Sequence, residues 1–302
     1  MSNSYHTSVL LQACIDQLNI QPSGVYVDLT FGGGGHSALI LKHLGPEGKL
    51  FAFDQDEDAQ RNVLKDPRFT LIPQNFRHLK NYLRLYGVTK VQGILGDLGV
   101  SSHQFDEASR GFSIRFDAEL DMRMNRNNPL SAKSIVNGYD AKQLLYIFKE
   151  YGEIHNAGKL VNSIINARGQ QEIQSTEDLK AAIKSCTPKF EEHKYLAKVF
   201  QALRIEVNQE IEALKECLTQ SVELLEKGGR LVVISYHSLE DRLVKNVIRS
   251  GNVEGKEEKD IIYGTGTKIF KNLTSKPILP DEEEIKINTR ARSAKLRVGE
   301  RL

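Results

Sequence analysis

The chain has 302 residues, of which 40% are hydrophobic and 26% charged, with 41 Lys and Arg against 39 Asp and Glu. This is a globular composition with room for one large domain, or for one domain carrying a smaller one. No apolar run approaches the roughly 20 residues that a membrane-spanning helix needs. The net charge of +2 argues neither for nor against nucleic acid, so any phosphate contact has to come from a local cluster of Lys and Arg.

The opening MSNSYHTSVLLQACIDQLNI lacks the basic and then apolar pattern of a secretory signal. Cys14, Cys186 and Cys217 have no CxxC spacing. They read as small buried apolar side chains of a cytoplasmic protein rather than as a disulfide or zinc framework. The β-branched run VYVDLTFG from Val25 reads as a buried parallel strand, followed by GGGGH and the helix SALILKHL, closed by Gly45. KLFAFDQD from Lys49, FTLIPQNF from Phe69 and VQGILGDLGVSS from Val91 read as three more strands. Strand and helix alternating at this spacing mean a parallel sheet with crossover helices.

The alternation stops between about Ser109 and Phe200. There AKQLLYIFKEYG, NAGKLVNSIINARG and TEDLKAAIKSC carry helical apolar spacing, and Gln174 to Glu177 fits a helix start. The helix NQEIEALKECLTQSVELLEKG and the strand GGRLVVISYHS then resume the first pattern. One α/β domain, 1–108 with 201–302, is therefore expected to hold a helical insertion, 109–200. Residues 251–260 read as a Gly- and charge-rich loop. In TRARSAKLRV, charges alternate with Ala291, Ala294, Leu296 and Val298. That reads as an edge strand whose wet face, with Arg290, Arg292, Lys295, Arg297 and Arg301, either binds phosphate or guards the edge. Lys184, Lys189, Lys194, Lys198 and Arg204 of the insertion are a weaker basic set, mixed with acids.

A strand feeding a glycine turn and a helix is the frame of an adenosine-cofactor site, where glycines let the backbone approach the ligand. The strict dinucleotide fingerprint is absent, because Gly32, Gly33, Gly34 and Gly35 are contiguous. Asp54 lies 19 residues after Gly35 at the end of the second strand, the place of an acid that binds ribose hydroxyls. Phe76, after the third strand, fits either packing on adenine or ordinary core. Asp97 ends the fourth strand, where packing does not require an acid, and is expected to face the reacting end. Gly35 and Asp54 also suit a nicotinamide-dependent oxidoreductase, which leaves DLGVSS, ISYHSLEDR and the insertion unexplained.

TFGGGGHS, GDLGVSSHQFD, RGFSIR, LDMRM, FQALRIEVNQE, ISYHSLEDR and RARSAKLR, in this order from His6-Thr7 to Arg297, resemble the MraW/RsmH family of bacterial 16S ribosomal RNA cytosine-N4 methyltransferases. The resemblance implies a class I, Rossmann-like, seven-stranded S-adenosylmethionine-dependent fold with a helical insertion for substrate recognition. It also implies a cytidine of the decoding centre of 16S rRNA, in the small ribosomal subunit, as acceptor. Carried over, the family's cofactor-binding positions fall on Gly34, Gly35, His36, Asp54, Phe76, Asp97 and Gln104; no metal is implied. The chain departs from the family's usual pattern at Gly33, at Ile154-His155 after Tyr151-Gly152-Glu153, and at Asn288-Thr289.

For catalysis the candidates are Asp97, Tyr236 and His237. Asp97 is expected to orient cofactor and amine, and Tyr236 to stack on the base. His237 fits either a proton acceptor and base contact or a structural histidine. Glu240-Asp241-Arg242 suggests a local Arg–acid pair. Arg115, Asp121 and Arg123 lie in a stretch that reads as too polar for core, either closing over the site or solvated. No membrane partner is expected, and either a monomer or a homodimer fits.

Overall fold

Seven strands form one sheet among residues 8–256 and 268–302, which the structure, a computed structural model, describes. The His6-Thr7 start of the family pattern and positions 257–260 of the charged loop lie outside the described residues. The strands are β1 (Val25–Asp28), β2 (Lys49–Phe53), β3 (Phe69–Ile72), β4 (Val91–Asp97), β5 (Leu225–Ser235), β6 (Phe270–Asn272) and β7 (Lys295–Arg301). Their order is β3-β2-β1-β4-β5-β7-β6. β1 to β5 are parallel, and β7 runs antiparallel to both of its neighbours. The strand order reverses beside β1, which opens a crevice at the carboxyl ends of β1 and β4.

The chain divides into two compact units, Met1–Gly99 with Ile211–Leu302, and Val100–Glu210. In the first, α1 (Leu11–Leu18) precedes β1, and α2 (Gly35–His43) and α3 (Leu79–Leu85) fall between the early strands. Alternate strand residues Tyr26, Leu50, Ala52, Leu95, Val232, Ile234, Leu296 and Val298 share a core with Cys14 and Leu18 of α1 and Ile40 and Leu41 of α2. Their neighbours Val27, Phe51, Phe53, Ile94 and Val233 point to the other face and are also buried. There Phe53 meets Tyr82 of α3, and Phe51 meets Tyr86 just beyond it. Burial on both faces is why these strands read as continuous apolar runs, each large side chain being worth about 1.5–3 kcal/mol.

The second unit holds α4 (Ser102–Asp106), α5 (Ala132–Gly138), α6 (Ala141–Glu150), α7 (Ala157–Gln170), α8 (Thr176–Ile183) and α9 (Glu192–Asn208). It has no strand among the described residues, only an isolated bridge between Glu119 and Ser175. Its core is built from helical stripes such as Leu144, Ile147 and Phe148, Leu160 and Ile164, and Val199 and Leu203. Ser131, Asp140 and Ser175 start α5, α6 and α8 with reciprocal capping boxes. The unit's limits, 99/100 and 210/211, differ from 108/109 and 200/201; at the second limit the reason is that α9 runs unbroken through position 200.

LDMRM is not a solvated loop. Leu120 and Met122 are fully buried and Met124 nearly so, within the second unit's core. Arg110, itself 1% exposed, donates to the carbonyls of Arg123 and Met124. Asn208 of α9 donates to the Met122 carbonyl and accepts the Met124 N–H. Asp121 and Arg123 pair with each other at 2.5 Å, so the polar letters alternate with core letters. Arg115 is exposed.

The chain then returns through α10 (Glu210–Leu224), β5, α11 (Ser238–Ser250), β6, α12 (Glu282–Ile287) and β7. The C-terminal strand departs from expectation. β7 is an internal strand, flanked by β5 and β6, because β6 covers the edge. Arg297 is buried and bound to Asp241 of α11 at 2.6 and 3.1 Å. Arg301 donates to the Ile269 carbonyl. Of the expected wet face, Arg292 remains exposed, and Arg290, Lys295 and Arg301 partly so. All three cysteines are buried and free, and among the described residues no helix is long and apolar enough to cross a membrane.

Candidate active site

The carboxyl ends of β1, β2 and β4 are tied together by side chains. Asp28, 1% exposed at the end of β1, accepts from Ser37 Oγ of α2 at 2.7 Å and from the Thr30 N–H at 3.0 Å. Thr30 Oγ1 accepts the Asp97 N–H at 2.7 Å. The glycine turn then takes two left-handed steps, at Gly32 (φ 50°) and Gly34 (φ 77°), conformations that glycine adopts without penalty. A Cβ on Gly34 would press on the Phe31 ring at 3.0 Å, and one on Gly35 would overlap Ser8 Oγ at 2.1 Å. A Cβ on Gly33 would meet nothing within 4 Å, so a larger residue there would enter open space.

Asp54 clasps this turn. Its two carboxylate oxygens accept the N–H groups of Gly32 and Asp56, each at 2.8 Å. Each oxygen keeps a lone pair for a hydroxyl donor. Burial raises its pKa to about 6, against the pull of those two backbone donors. Phe76 is half-buried in a single 3₁₀ turn after β3. The preceding Asn75 donates to Gln55 beside Asp54, at 2.9 Å. His36, buried in the first turn of α2, has Nε2 at 3.1 Å from the Val9 carbonyl.

The second half of the site joins the ends of β4 and β5. The Tyr236 hydroxyl donates to Asp97 Oδ1 at 2.7 Å. Asp97 keeps some exposed surface, but protein atoms surround its carboxyl, and burial lifts its pKa to about 6. His36 and the Tyr236 hydrogen bond offset part of that rise, while Asp28 and Glu240 add to it. The Tyr236 hydroxyl is pushed far above its ordinary range, by burial first and then by Asp97. Its ring packs on the core of the first unit.

His237 follows, with its side chain 9% exposed and neither ring nitrogen hydrogen-bonded among the described residues. Its Nε2 lies 3.2 Å from Glu240 Oε1. Glu240, 3% exposed, accepts the Tyr236 N–H at 2.9 Å through Oε2 and so caps α11. The local Arg–acid pair expected in Glu240-Asp241-Arg242 does not form. Asp241 pairs across to Arg297, and Arg242 points to solvent.

Gly34, Gly35, His36, Asp54, Asp97, Tyr236 and His237 thus meet along one sheet edge of the first unit, with Phe76 at the end of β3. Gln104 belongs to the second unit. There it is 5% exposed and its Oε1 accepts the Ser101 N–H, closing the capping box of α4. The sequence pattern does not mark Asp28, Ser37 or Thr30 as site residues, and it points Glu240 to a local arginine pair. A polar residue inside or just after an apolar strand was the available signal for Asp28 and Thr30; Ser37, in α2, carries no such mark. Glu240, three residues after His237 at a helix start, carried the capping signature.

A parallel sheet with an antiparallel seventh strand inserted beside β5, with a glycine turn and acids at its carboxyl edge, defines a class I methyltransferase. The profile of the MraW methylase family matches residues 3–302. The chain is 59% identical to "Ribosomal RNA small subunit methyltransferase H" of Flavobacterium psychrophilum, over 97% of this chain and 100% of the relative. It is 56% identical to the protein of the same name from Flavobacterium johnsoniae, over 99% and 98%. The one from Bacteroides thetaiotaomicron is 54% identical, over 99% and 98%. Among solved structures, a putative rRNA-methylase from Clostridium thermocellum matches at 14% identity and TM-score 0.47, covering 98% of each chain. The chain belongs to the MraW methylase family.

Proposed function

We propose that this protein methylates the N4 amine of a cytidine in the decoding centre of 16S ribosomal RNA, using S-adenosylmethionine. Family membership and near-full-length identity to small-subunit rRNA methyltransferases support the coarser reading, an rRNA methyltransferase. The observation that carries the site assignment is the Asp97–Tyr236 pair, which joins β4 and β5 beside the clasped glycine turn.

The turn fits the methyl donor. Gly32 and Gly34 keep the backbone bare, and Asp54 offers acceptor lone pairs to two ribose hydroxyls. Bound S-adenosylmethionine supplies a methyl group activated on sulfonium. The chain's own task is the acceptor amine, whose lone pair is delocalised into the cytosine ring. Positioning that amine is worth up to roughly 7–11 kcal/mol. Asp97, fixed through Oδ1 by Tyr236, presents Oδ2 to an amine hydrogen and stabilises positive charge developing on nitrogen. The amine exchanges one proton for the methyl group, and a carboxylate with a pKa of about 6 is a competent acceptor near neutrality. Tyr236 then orients Asp97, and His237, anchored beside Glu240, is the contact for the base.

The second unit is assigned to substrate recognition. Its basic residues are partly committed: Arg204 is held by Glu210 at 2.8 and 2.9 Å, and Lys194 lies 3.3 Å from Glu191. Lys184 and Lys189 are exposed, and together with Arg292 of the first unit they are the proposed phosphate contacts.

The test is tritium transfer from S-adenosylmethionine to small subunits taken from a strain lacking this activity, followed by nucleoside analysis. N4-methylcytidine is expected, and label in any other nucleoside refutes the assignment. Asp97→Ala is expected to lower turnover by about 10²-fold or more; near-normal turnover would remove Asp97 from the mechanism.

A further inference from the structure

Ser8, Val9 and Leu10 precede α1 and are held by side chains from two distant parts of the chain. His36, in the first turn of α2, reaches the Val9 carbonyl. Glu284 of α12 accepts the Leu10 N–H at 2.6 Å, across 274 positions of sequence. Leu10 is left-handed, with φ 49° and ψ 34°, a conformation that residues with a Cβ rarely adopt. Its side chain is nevertheless buried. Ser8 fills the space over Gly35, where a Cβ would lie 2.1 Å from its Oγ. The buried thiol of Cys14, in α1, is pushed up by burial and then by Asp97, Asp28 and Glu284, so α1 lies within electrostatic reach of all three acids.

We propose that Ser8–Leu10 is a strap forming one wall of the methyl-donor pocket, with Glu284 as a positioning residue that acts through Leu10. The inference rests on the placement of the donor at the glycine turn given above. Its logic is local strain. A left-handed leucine persists only where its surroundings over-determine it, and here a carboxylate from the far end of the chain accepts its N–H. Without that acceptor the backbone relaxes toward ordinary φ values, and Ser8 is no longer held against the first residue of α2. Donor binding must then re-order the strap, and the affinity falls by the fraction of chains in which the strap is in place. Glutamine at 284 keeps an oxygen that accepts the same N–H.

The experiment measures S-adenosylmethionine binding by calorimetry, and KM and kcat for the donor, on the full-length protein. Glu284→Ala is expected to raise Kd and KM for the donor about tenfold, with kcat changed less than about twofold. Glu284→Gln is expected to stay within about twofold of the parent in Kd. Hydrogen exchange of the unaltered protein supplies a readout independent of any variant: the Leu10 amide is expected to exchange more slowly when the donor is added. An unchanged Kd in Glu284→Ala, a Glu284→Gln variant as weak as the alanine, or no donor effect at the Leu10 amide each overturns the proposal. Asp54→Ala separates the two levels. If it loses binding while Glu284→Ala does not, the strap fails and the pocket stands. If it binds like the parent, the pocket placement fails and the strap with it.

Discussion

Two buried carboxylates set the site's response to pH. Asp54 and Asp97 both have pKa values raised to about 6 from 3.8, chiefly by burial. A raised carboxyl pKa favours the folded state while the group is protonated. That contribution is complete below about pH 4 and is lost as pH rises to about 6. Asp97→Asn is therefore expected to stabilise the ligand-free protein at pH 8 relative to the parent, and to have little effect at pH 4, read from denaturant midpoints. Donor affinity runs the other way, because ribose hydroxyls need an ionised acceptor. Kd for S-adenosylmethionine is expected to rise about tenfold per pH unit below 6 for each carboxylate that must be ionised. A flat profile from pH 5 to 8 would remove Asp54 from ribose binding. The glycines separate in the same way. Gly34→Ala forces a Cβ at φ 77° against Phe31 and should cost about 1 kcal/mol or more. Gly33→Ala enters open space and should be neutral or stabilising by up to about 1 kcal/mol; thermal melts of the two variants distinguish them.

At the scale of elements, helix starts were legible and long-range strand partners were not. The Ser175 start of α8 follows from side chains within four positions: Ser175 Oγ accepts the Asp178 N–H, and Asp178 accepts the Ser175 N–H. Ser175→Ala should destabilise the protein by about 1 kcal/mol, measured by urea denaturation, with donor binding unchanged. The apolar runs of β1, β4 and β5 were equally plain, since burial on both faces leaves no alternation to misread. β7 was misplaced for the converse reason. Alternating Lys, Arg and Leu has the period of a half-exposed strand, and only the three-residue β6 and Asp241 of α11 make it internal. LDMRM misled in the same way: its Met and Leu are core because its backbone is satisfied by Arg110, 13 and 14 positions from its partners, and by Asn208, 84 and 86 positions from its own.

At the scale of the whole molecule, the first unit carries the residues proposed to hold the donor, and a separate core fills the second. Ligand linkage should therefore be visible in global stability. S-adenosylmethionine at about 100 times its Kd should stabilise the parent by about 2.7 kcal/mol, and Asp54→Asn should show much less. Equal thermal shifts in both would place the donor elsewhere.

The amino-acid sequence by itself determined the alternating α/β frame, the helical insertion, the glycine turn and the acids that end β2 and β4. All of these depend on periodicity and residue type within one element, which chain chemistry sets locally. Tertiary structure alone decided that Tyr236 spends its hydroxyl on Asp97, that Asp241 pairs with Arg297 rather than with a local arginine, and that Glu284 holds Leu10. Those partners are set by which strands pair and which helices pack, and residues 139 or 274 positions apart leave no short-range pattern to read. The acids at the strand ends could be named from the sequence; what each one holds is a property of the folded sheet.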